Sequence, residues 1–326
     1  MADLPILPLK KEKNSFVKTG DSALDRMVQI WLPWQIRKCR IEGRTGFYQC
    51  GGAWGFRDQI QDVSAFLRAD SALVRRHILR CAAVQFPEGD VLHWWHRLAP
   101  EDGGLRGVRT RYRDDLLWLP WLVGQYVSTT NDQEILTVKV PFVEGEPLTD
   151  NEKERYAHYC QTSEKYTIAD HCQRAIVYAL QKGEHGLLLM GGGDWNDGMN
   201  QIGIRGRGES VWLTMFMVVV LEAFSPCCSG EVAEQFKKEV GLLRSALEEH
   251  AWDGDHYLRA FTDDGVPVGK SGAEECAVDS ITQSFALYAG LDENRVQTAL
   301  TTALKALVDK EKGIIKLLWP PFSGNG

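Results

Sequence analysis

The sequence predicts an all-α protein whose helices are joined by long loops rich in aromatic and acidic residues. Apolar residues recur at helical spacing in about ten segments, whereas strand signals are few and short. Helical hairpins in this number commonly close into a toroid or stack into a solenoid. The chain has no fixed-period repeat of the kind that indicates a solenoid, so a toroidal barrel with a few short β-hairpins is favoured.

The first helix is predicted over residues 21–42, with Asp21 as its N-cap and a kink at Pro33. Further segments show the apolar spacing of an amphipathic helix. These segments cover residues 58–69, 71–85, 114–130, 150–162, 166–182, 209–224, 230–250, 278–290 and 293–309.

Strands are predicted in two places. Residues 135–143 read "ILTVKVPFV", and residues 256–269 resemble a hairpin around Asp264 and Gly265. The rest of the chain between the helices forms long connections at residues 43–57, 86–113, 184–208 and 252–277. Loops of this kind often carry the functional residues of a protein.

The composition is that of an ordinary globular protein, and it excludes several classes of function. The 326 residues carry a net charge of -7, whereas nucleic-acid binding needs a basic balance. The chain lacks a run of about 18 apolar residues, and its eight cysteines lack CxxC spacing. We expect no membrane segment, a cytoplasmic location, an N-terminal extension over residues 1–20 and one domain over residues 21–326.

The loops collect tryptophan beside Asp, Glu, Arg and His in cluster after cluster. A sugar stacks the apolar face of its ring on an indole, while its hydroxyls hydrogen-bond to carboxylates and guanidiniums. These clusters therefore indicate a carbohydrate site. They read "FYQCGGAWGFRDQIQD" (47–62), "EGDVLHWWH" (88–96), "RGVRTRYRDD" (106–115), "GDWNDGMN" (193–200), "GRGESVW" (206–212) and "AEECAVDS" (273–280).

The stretch "GGGDWNDG" follows an apolar run and is the strongest candidate for a site. A plain turn explains the three glycines, which can supply positive φ, but it leaves Trp195 and the second acid unexplained. Burial against an indole raises the pKa of a carboxylic acid and keeps it protonated near neutral pH. Asp197 is therefore the candidate general acid, with Asp194 and Trp195 beside it.

Arg57, Asp58 and Asp62 form a second candidate cluster. If a helix begins near residue 58, the two acids share one face and Arg57 lies at its mouth, an arrangement suited to binding sugar hydroxyls. A structural role remains the alternative for each of these side chains.

The clusters around residues 93–96 and 106–115 allow both a structural and a functional interpretation. Trp94 and Trp95 stand between two histidines, which favours core packing and less often a metal site. Arg109 and Arg111 belong either to a solvated basic turn or to a site for an anionic substrate. The acids that follow suit a helix N-terminus.

These clusters, in this order, resemble glycoside hydrolase family 94, the inverting β-glucoside phosphorylases. The matching blocks run from about residue 24 to the end of the chain and include "YQCGGAWGFRDQIQD", "EGDVLHWWH", "RGVRTRYRDDLLWLP", "EHGLLLMGGGDWNDGMN", "GRGESVW", "WDGDHYLRAF" and "EECAVDSITQSFA". The resemblance implies an (α/α)6 barrel with Asp197 as the general acid. It is closer to the β-1,2-oligoglucan phosphorylases and the C-terminal part of cyclic β-1,2-glucan synthases than to cellobiose phosphorylases.

The resemblance also implies roles for individual residues. Arg57 and Asp62 would hold the non-reducing glucosyl unit, and Glu275 would lie near the acceptor sugar. The substrate-binding set expected from the clusters and the resemblance together is Arg57, Asp62, Trp94, Trp95, Arg109, Arg111, Asp194, Trp195, Glu275 and Gln283.

The implied reaction is reversible phosphorolysis of a β-linked glucose disaccharide or oligosaccharide to α-glucose 1-phosphate. An inverting hydrolase needs an acid and a base to activate water. Inorganic phosphate is already anionic, so one acid suffices, and we expect phosphate as a co-substrate with no metal and no organic cofactor. The alternatives are an inverting β-glucan hydrolase and an inactive remnant that binds β-glucans.

The chain also departs from the family pattern. Family members usually carry an N-terminal β-sandwich and continue beyond the segment matched by "GIIKLLWPPF". About ten predicted helices fall short of the twelve in six hairpins, so we expect an incomplete barrel. An exposed apolar helix face would follow, and with it a homodimer.

Overall fold

The computed structural model describes residues 18–44, 51–98, 104–149 and 151–323. Within these ranges the chain contains ten α-helices. They are α1 (Ser22–Arg26), α2 (Leu32–Gln35), α3 (Phe56–Ser64), α4 (Ser71–Ala82), α5 (Trp118–Thr130), α6 (Ile168–Ala179), α7 (Val211–Phe224), α8 (Gly230–His250), α9 (Ser280–Tyr288) and α10 (Glu293–Leu307).

Thirteen short strands lie between the helices in the described part of the chain. They are β1 (Trp54–Gly55), β2 (Leu92–Arg97), β3 (Leu105–Thr110), β4 (Lys139–Glu144), β5 (Glu154–Thr167), β6 (Leu188–Leu189), β7 (Glu209–Ser210), β8 (Ala260–Phe261), β9 (Pro267–Val268), β10 (Val278–Asp279), β11 (Val308–Asp309), β12 (Ile314–Ile315) and β13 (Leu318–Trp319). The larger sheet has the order β1-β2-β3-β5-β4, and a second sheet has the order β6-β7-β8-β9.

Helix α7 lies at the centre of the helical layer. Its sequence "VWLTMFMVVVLEAF" is apolar on nearly all sides, and it packs against α5, α8 and α9. A helix that is hydrophobic all round must be buried to be stable. The prediction of helix-on-helix packing is therefore confirmed for this part of the molecule.

Most predicted helices form close to their predicted bounds. Helix α8 spans the predicted residues 230–250, and α6 begins with a capping box in which Thr167 and Asp170 satisfy each other's backbone N–H groups. The first predicted helix spans Ser22–Glu42 but alternates between α and π hydrogen bonding on either side of Pro33.

The prediction of an all-α fold is only partly confirmed: the helices form, but the larger sheet replaces one of those predicted. Residues 150–162 contribute to β5, which pairs with β3 on one side and β4 on the other. The sequence "ERYAHYCQTSEKYT" alternates, and pairing with the distant strand β3 and the preceding strand β4 outweighs its local helical spacing. Strands β2 and β3 likewise lie inside the predicted loop 86–113.

The two predicted strand regions are largely confirmed. β8 and β9 pair around the turn at Asp264 and Gly265, where Gly265 has a φ of 73°. Within residues 135–143, β4 starts at Lys139 after a short 3-10 helix, Gln133–Thr137.

The first helical segment exposes apolar side chains. This agrees with the expected exposed helix face, while the homodimer remains a prediction. Among the described residues, none of the helices has both the length and the hydrophobicity to cross a bilayer. The exposed side chains, 38% to 48% accessible, are Leu24, Met27, Val28, Ile30, Trp31 and Leu32.

Two glycines test the central packing. A Cβ on Gly124 of α5 would lie 2.3 Å from the Ala223 carbonyl oxygen of α7, so Gly124→Ala should lower the free energy of unfolding by about 1–3 kcal/mol. Gly241 of α8 has nothing within 4 Å of its added Cβ, and Gly241→Ala should instead stabilise by about 0.5–1 kcal/mol. Denaturant unfolding measures both, and equal effects would contradict the packing.

Candidate active site

The glycine loop before Asp194 lets a second segment approach it closely. A Cβ on Gly191 would lie 2.4 Å from the Arg111 carbonyl oxygen, and one on Gly193 would lie 2.4 Å from the Tyr112 ring. Gly192 N–H donates to the Arg111 carbonyl (2.9 Å). The three glycines therefore seat the 111–115 segment against the loop, a requirement beyond the turn that the sequence predicted.

Asp194 anchors this loop from inside the protein. Its carboxylate is fully buried and accepts two hydrogen bonds from Arg259, at 2.6 and 2.7 Å, and one from the Ser210 hydroxyl at 2.6 Å. Arg259 is fully buried as well. The bidentate pair fixes the start of the loop, so Asp194 shapes the site from beneath.

Arg57 joins the loop to the helical layer. It follows β1 in the first turn of α3, and its Nη1 donates to Asp114 Oδ2 (3.1 Å) while its Nη2 donates to Asp197 Oδ1 (3.0 Å). Nη1 also reaches the Asp194 carbonyl at 3.4 Å. Although burial lowers the pKa of Arg57, the surrounding carboxylates raise it above its ordinary value.

The surroundings predicted for Asp197 are only partly correct. Its side chain is 55% exposed and paired with a guanidinium, so the expected burial against the Trp195 indole is not observed. Trp195 is half-buried and packs against the hydrophobic core. Asp197 lies within a 3-10 turn, Asp197–Met199, that presents its carboxylate at the end of the loop.

Asp114 and Asp115 are two functional candidates that the sequence analysis assigned to a helix N-terminus. Both side chains are essentially buried, and each has one oxygen without a hydrogen-bond partner among the described residues. Asp114 also accepts from the Trp118 indole N–H at 3.2 Å. Burial raises the pKa of Asp114, and the Arg57 charge opposes this. The sequence shows two adjacent acids, but it does not show that both are buried.

His93 forms a buried dyad with Asp115. Its Nδ1 lies 2.6 Å from Asp115 Oδ2, and its ring stacks on Tyr112 at a centroid distance of 5.1 Å. Burial lowers the pKa of His93, but Asp115 outweighs it and raises the pKa to about 9. Burial, with help from the Asp197 charge, raises the pKa of Tyr112 to about 12.

His93 and His96 do not lie on one face of a helix. They lie on strand β2, where a bulge shifts the register between Leu92 and Trp94. His96 Nε2 instead contacts the Gly51 carbonyl at 3.1 Å. The described residues hold no group of three or more side chains that could ligate a metal.

Asp62 does not join Arg57 in this structure. It accepts from Arg40 Nε at 2.9 Å, and Arg40 also lies 3.7 Å from Asp58. Arg57 points away from both acids, towards Asp114 and Asp197. Asp58 and Asp62 do share one face of α3, as expected, but Arg40 binds there and Arg57 does not. The shared role of Arg57 and Asp62 towards one glucosyl unit stays a prediction.

Arg109 and Arg111 are occupied by internal contacts. Arg109 is 1% exposed, with its Nε and Nη2 bound to Asp90 at 2.6 and 2.7 Å and its Nη2 also bound to Glu88 at 3.0 Å. Arg111 donates to the carbonyls of Glu152 (2.8 Å) and Thr149 (2.7 Å). The contacts observed favour the structural interpretation over the anion site that the sequence suggested.

Trp95 and Gln283 are also internal. Trp95 is 1% exposed and stacks on Trp54 at 6.4 Å, as the packing interpretation expected. Gln283 pairs through its amide with both the N–H (2.9 Å) and the carbonyl (2.8 Å) of Tyr257. Direct contact of these two side chains with a substrate is not supported by their positions.

Glu275 and Trp94 are accessible. Glu275 accepts a hydrogen bond from the Ser323 backbone N–H at 2.7 Å, and hydrogen bonds from Ser323 lower its pKa. The neighbouring Cys276 packs in the same small apolar cluster as Met199, two residues after Asp197. The fold thus brings the 273–280 segment to the glycine loop, as a shared sugar site requires.

The arrangement presents the accessible Asp197 carboxylate on an anchored loop, with Arg57 bound to it and with His93 and Tyr112 close enough to interact with its charge. Together with the packed helices, these features are typical of a carbohydrate-active domain. The chain belongs to the Glycosyl hydrolase 94 superfamily, whose catalytic-domain model matches residues 10–326. This confirms the resemblance found in the sequence, and the catalytic domain of that family is of the α/α-barrel type.

Curated relatives match nearly the whole chain. Cyclic beta-(1,2)-glucan synthase NdvB of Rhizobium meliloti is 42% identical over 312 residues, which cover 94% of this chain and 11% of the synthase. Solabiose phosphorylase of Paenibacillus borealis is 29% identical, covering 94% of this chain and 36% of the phosphorylase. The chain spans 11% to 38% of the length of the curated relatives it matches.

A solved structure shares the fold. The GH78 family rhamnosidase of Bacillus sp. GL1 superimposes with a TM-score of 0.59 at 14% identity, over 88% of this chain and 26% of the rhamnosidase. At that identity the likeness concerns the fold alone.

The His93–Asp115 dyad makes a prediction for pH dependence. Because the folded pKa of His93 lies above its ordinary value of 6.5, the dyad stabilises the fold fully below that pH, and the contribution is lost as pH rises through about 9. In Asp115→Asn, the remaining burial should bring the His93 pKa well below that of the wild type. Histidine-selective NMR titration measures this, and an unchanged His93 pKa would contradict the dyad.

Proposed function

We propose that this chain carries the acid machinery for reversible, inverting phosphorolysis of a β-linked glucose disaccharide or oligosaccharide. A phosphate oxygen attacks the anomeric carbon as the glycosidic bond breaks. Asp197 donates its proton to the leaving oxygen, and the product is α-glucose 1-phosphate with the shortened sugar. The observation that carries the proposal is the accessible Asp197 carboxylate, set on an anchored loop and tied to Arg57.

The choice of Asp197 rests on access to a substrate. Four aspartates lie around Arg57, but Asp114, Asp115 and Asp194 are no more than 1% exposed. Asp197 is 55% exposed. A general acid must reach the leaving oxygen at hydrogen-bond distance, which among these four favours Asp197.

Without substrate, Asp197 is hydrogen-bonded to Arg57, and a bound sugar could replace this contact. A general acid needs its carboxyl group free to approach the leaving oxygen, whereas Asp197 is bound to Arg57 in this structure. Sugar hydroxyls can take over the Arg57 Nη2 donor, while Nη1 keeps its hydrogen bond to the buried Asp114. Binding of the non-reducing glucosyl unit would thus free the Asp197 carboxyl group to approach the leaving oxygen.

The names of the relatives support the proposed substrate class. Two of those matched carry β-1,2-linked glucans in their names, the cyclic beta-(1,2)-glucan synthase and the 1,2-beta-oligoglucan phosphorylase of Listeria innocua, and several others are named phosphorylases. We propose a β-1,2-linked glucoside, bound with Trp195 and Glu275 near the acceptor side. Phosphate would be the co-substrate, with no metal or organic cofactor.

The finer architecture belongs to the same proposal. The described helices would form part of an (α/α)6 barrel over residues 21–326, with residues 1–20 as an extension. The proposed protein is a cytoplasmic homodimer, and the exposed apolar side chains of the first helical segment support association.

Replacing the acid tests the proposed function. Incubation with α-glucose 1-phosphate and a panel of glucose, sophorose, cellobiose and laminaribiose should release phosphate with a matching acceptor. Asp197→Asn should slow this release by roughly 10²–10⁴-fold, because it removes the proton donor. Asp264→Asn, which alters an exposed acid of the β8–β9 hairpin, is the matched control and should keep the wild-type rate.

Two results would contradict the proposal. Equal turnover of wild type and Asp197→Asn would exclude Asp197 as the acid. Cleavage of a β-glucan at the same rate with and without phosphate would instead indicate a hydrolase.

A further inference from the structure

Strand β5, which replaces a predicted helix, places Tyr156 close to Trp94 of β2 on the outer face of the larger sheet. Trp94 of β2 and Tyr156 of β5 both pair with Val108 of β3. Residues directly opposite each other in adjacent strands share a face. The Trp94 and Tyr156 rings are 5.4 Å apart, inclined by 41°.

Basic side chains border this aromatic pair. Two residues after Trp94 on β2, His96 pairs with Arg106 of β3, so these two side chains lie on the same face. The Arg106 guanidinium lies 5.8 Å from the centre of the Tyr156 ring, and the His96 ring lies 5.8 Å from that of Trp94. We call Trp94 and Tyr156, with His96 and Arg106 at their border, the aromatic platform.

The platform is accessible, unlike the opposite face of the same strands. Tyr156 is 54% exposed, Arg106 is exposed and Trp94 is partly exposed. On the opposite face, Trp95 is 1% exposed and packs into the core. The sheet therefore has one face that stabilises the fold and another whose aromatic residues are open to a ligand.

The platform is continuous with the candidate active site. Trp94 directly follows His93, which the bulge in β2 turns towards Asp115. We call the space bordered by Arg57, Asp115 and Asp197 the cleft. Trp94 also pairs with Gly55 of β1, two residues before Arg57. A chain leaving the cleft past these strands would meet the platform next.

We propose that the aromatic platform binds the distal part of a β-1,2-glucan chain whose end lies in the cleft. Aromatic rings receive the apolar faces of successive sugar rings, and the guanidinium and imidazole donate to their hydroxyls. Trp, Tyr and Arg are also common at protein interfaces. The continuity of the platform with the candidate active site is what favours a sugar chain as its occupant. The platform would favour longer chains over disaccharides, an inference that rests on the proposed function.

Binding measured without phosphate tests the platform independently of turnover. The probe is a linear β-1,2-linked glucohexaose, titrated by calorimetry, with sophorose as the short ligand. Tyr156→Ala should weaken hexaose binding roughly three- to tenfold, as expected for the loss of one aromatic contact. Tyr156→Phe should restore it, since the ring remains.

Tyr288→Ala is the matched control, because Tyr288 on α9 is 66% exposed and lies outside the platform. It should bind the hexaose as the wild type does. The proposal is overturned if Tyr156→Ala binds the hexaose normally, or if the wild type binds it no better than sophorose. It is also overturned if Tyr156→Ala dissociates a dimer in sedimentation without changing sugar affinity.

The same titration separates this inference from the proposed function. One outcome is that hexaose binding depends on Tyr156 but the chain releases no phosphate from α-glucose 1-phosphate. This would contradict the proposed phosphorylase function and support the platform. The other outcome is that phosphate release depends on an acceptor but hexaose binding does not depend on Tyr156. This would support the proposed function and contradict the platform.

Discussion

The geometry of the candidate site depends on the two-sided contact of Arg57. One of its nitrogens is held by the buried Asp114, and the other binds Asp197 at the end of the glycine loop. The guanidinium is planar and rigid, so fixing one edge also fixes the position of the other. Asp197 is thereby placed with respect to the helical layer, although it lies on a loop of mostly irregular structure.

Buried arginine–carboxylate pairs hold the other irregular segments in the same way. Arg259 binds Asp194 beneath the glycine loop, and Arg109 binds Asp90 beside the larger sheet. Removing one partner of such a pair costs about 3–5 kcal/mol, because the other charge is left buried and unpaired. These pairs allow long loops to be rigid enough for a site. They also explain why several arginines that resembled ligands in the sequence have structural contacts.

Periodic patterns were enough to predict helix α8 with its bounds and the β8–β9 hairpin, since local spacing and turn residues determine both elements. Strand β5 could not be predicted in this way, because part of its segment also has helical spacing and its partner β3 is distant in sequence. The sequence also indicated Asp197 and the glycine loop as site candidates, which remain predictions, and membership of the family is confirmed.

The remaining differences between the predicted and the observed site come from which side chains are buried and in which direction they point. Nothing in the spacing of residues distinguishes Arg109, which is turned inward, from Arg57, which faces the cleft. The pairing of His93 with Asp115 likewise depends on a bulge in β2 that brings distant segments together. The accessible Tyr156 was missed because its segment was assigned to a helix.

A double-mutant cycle between Arg57 and Asp114 tests the central contact most directly. The free energy of unfolding would be measured for the wild type, Arg57→Gln, Asp114→Asn and the double variant. Because the two side chains share a hydrogen bond in a nearly solvent-free position, we expect a coupling energy of about 0.5–3 kcal/mol. Additivity within about 0.3–0.5 kcal/mol would show that Asp114 does not hold Arg57, and would contradict this account of how Asp197 is positioned.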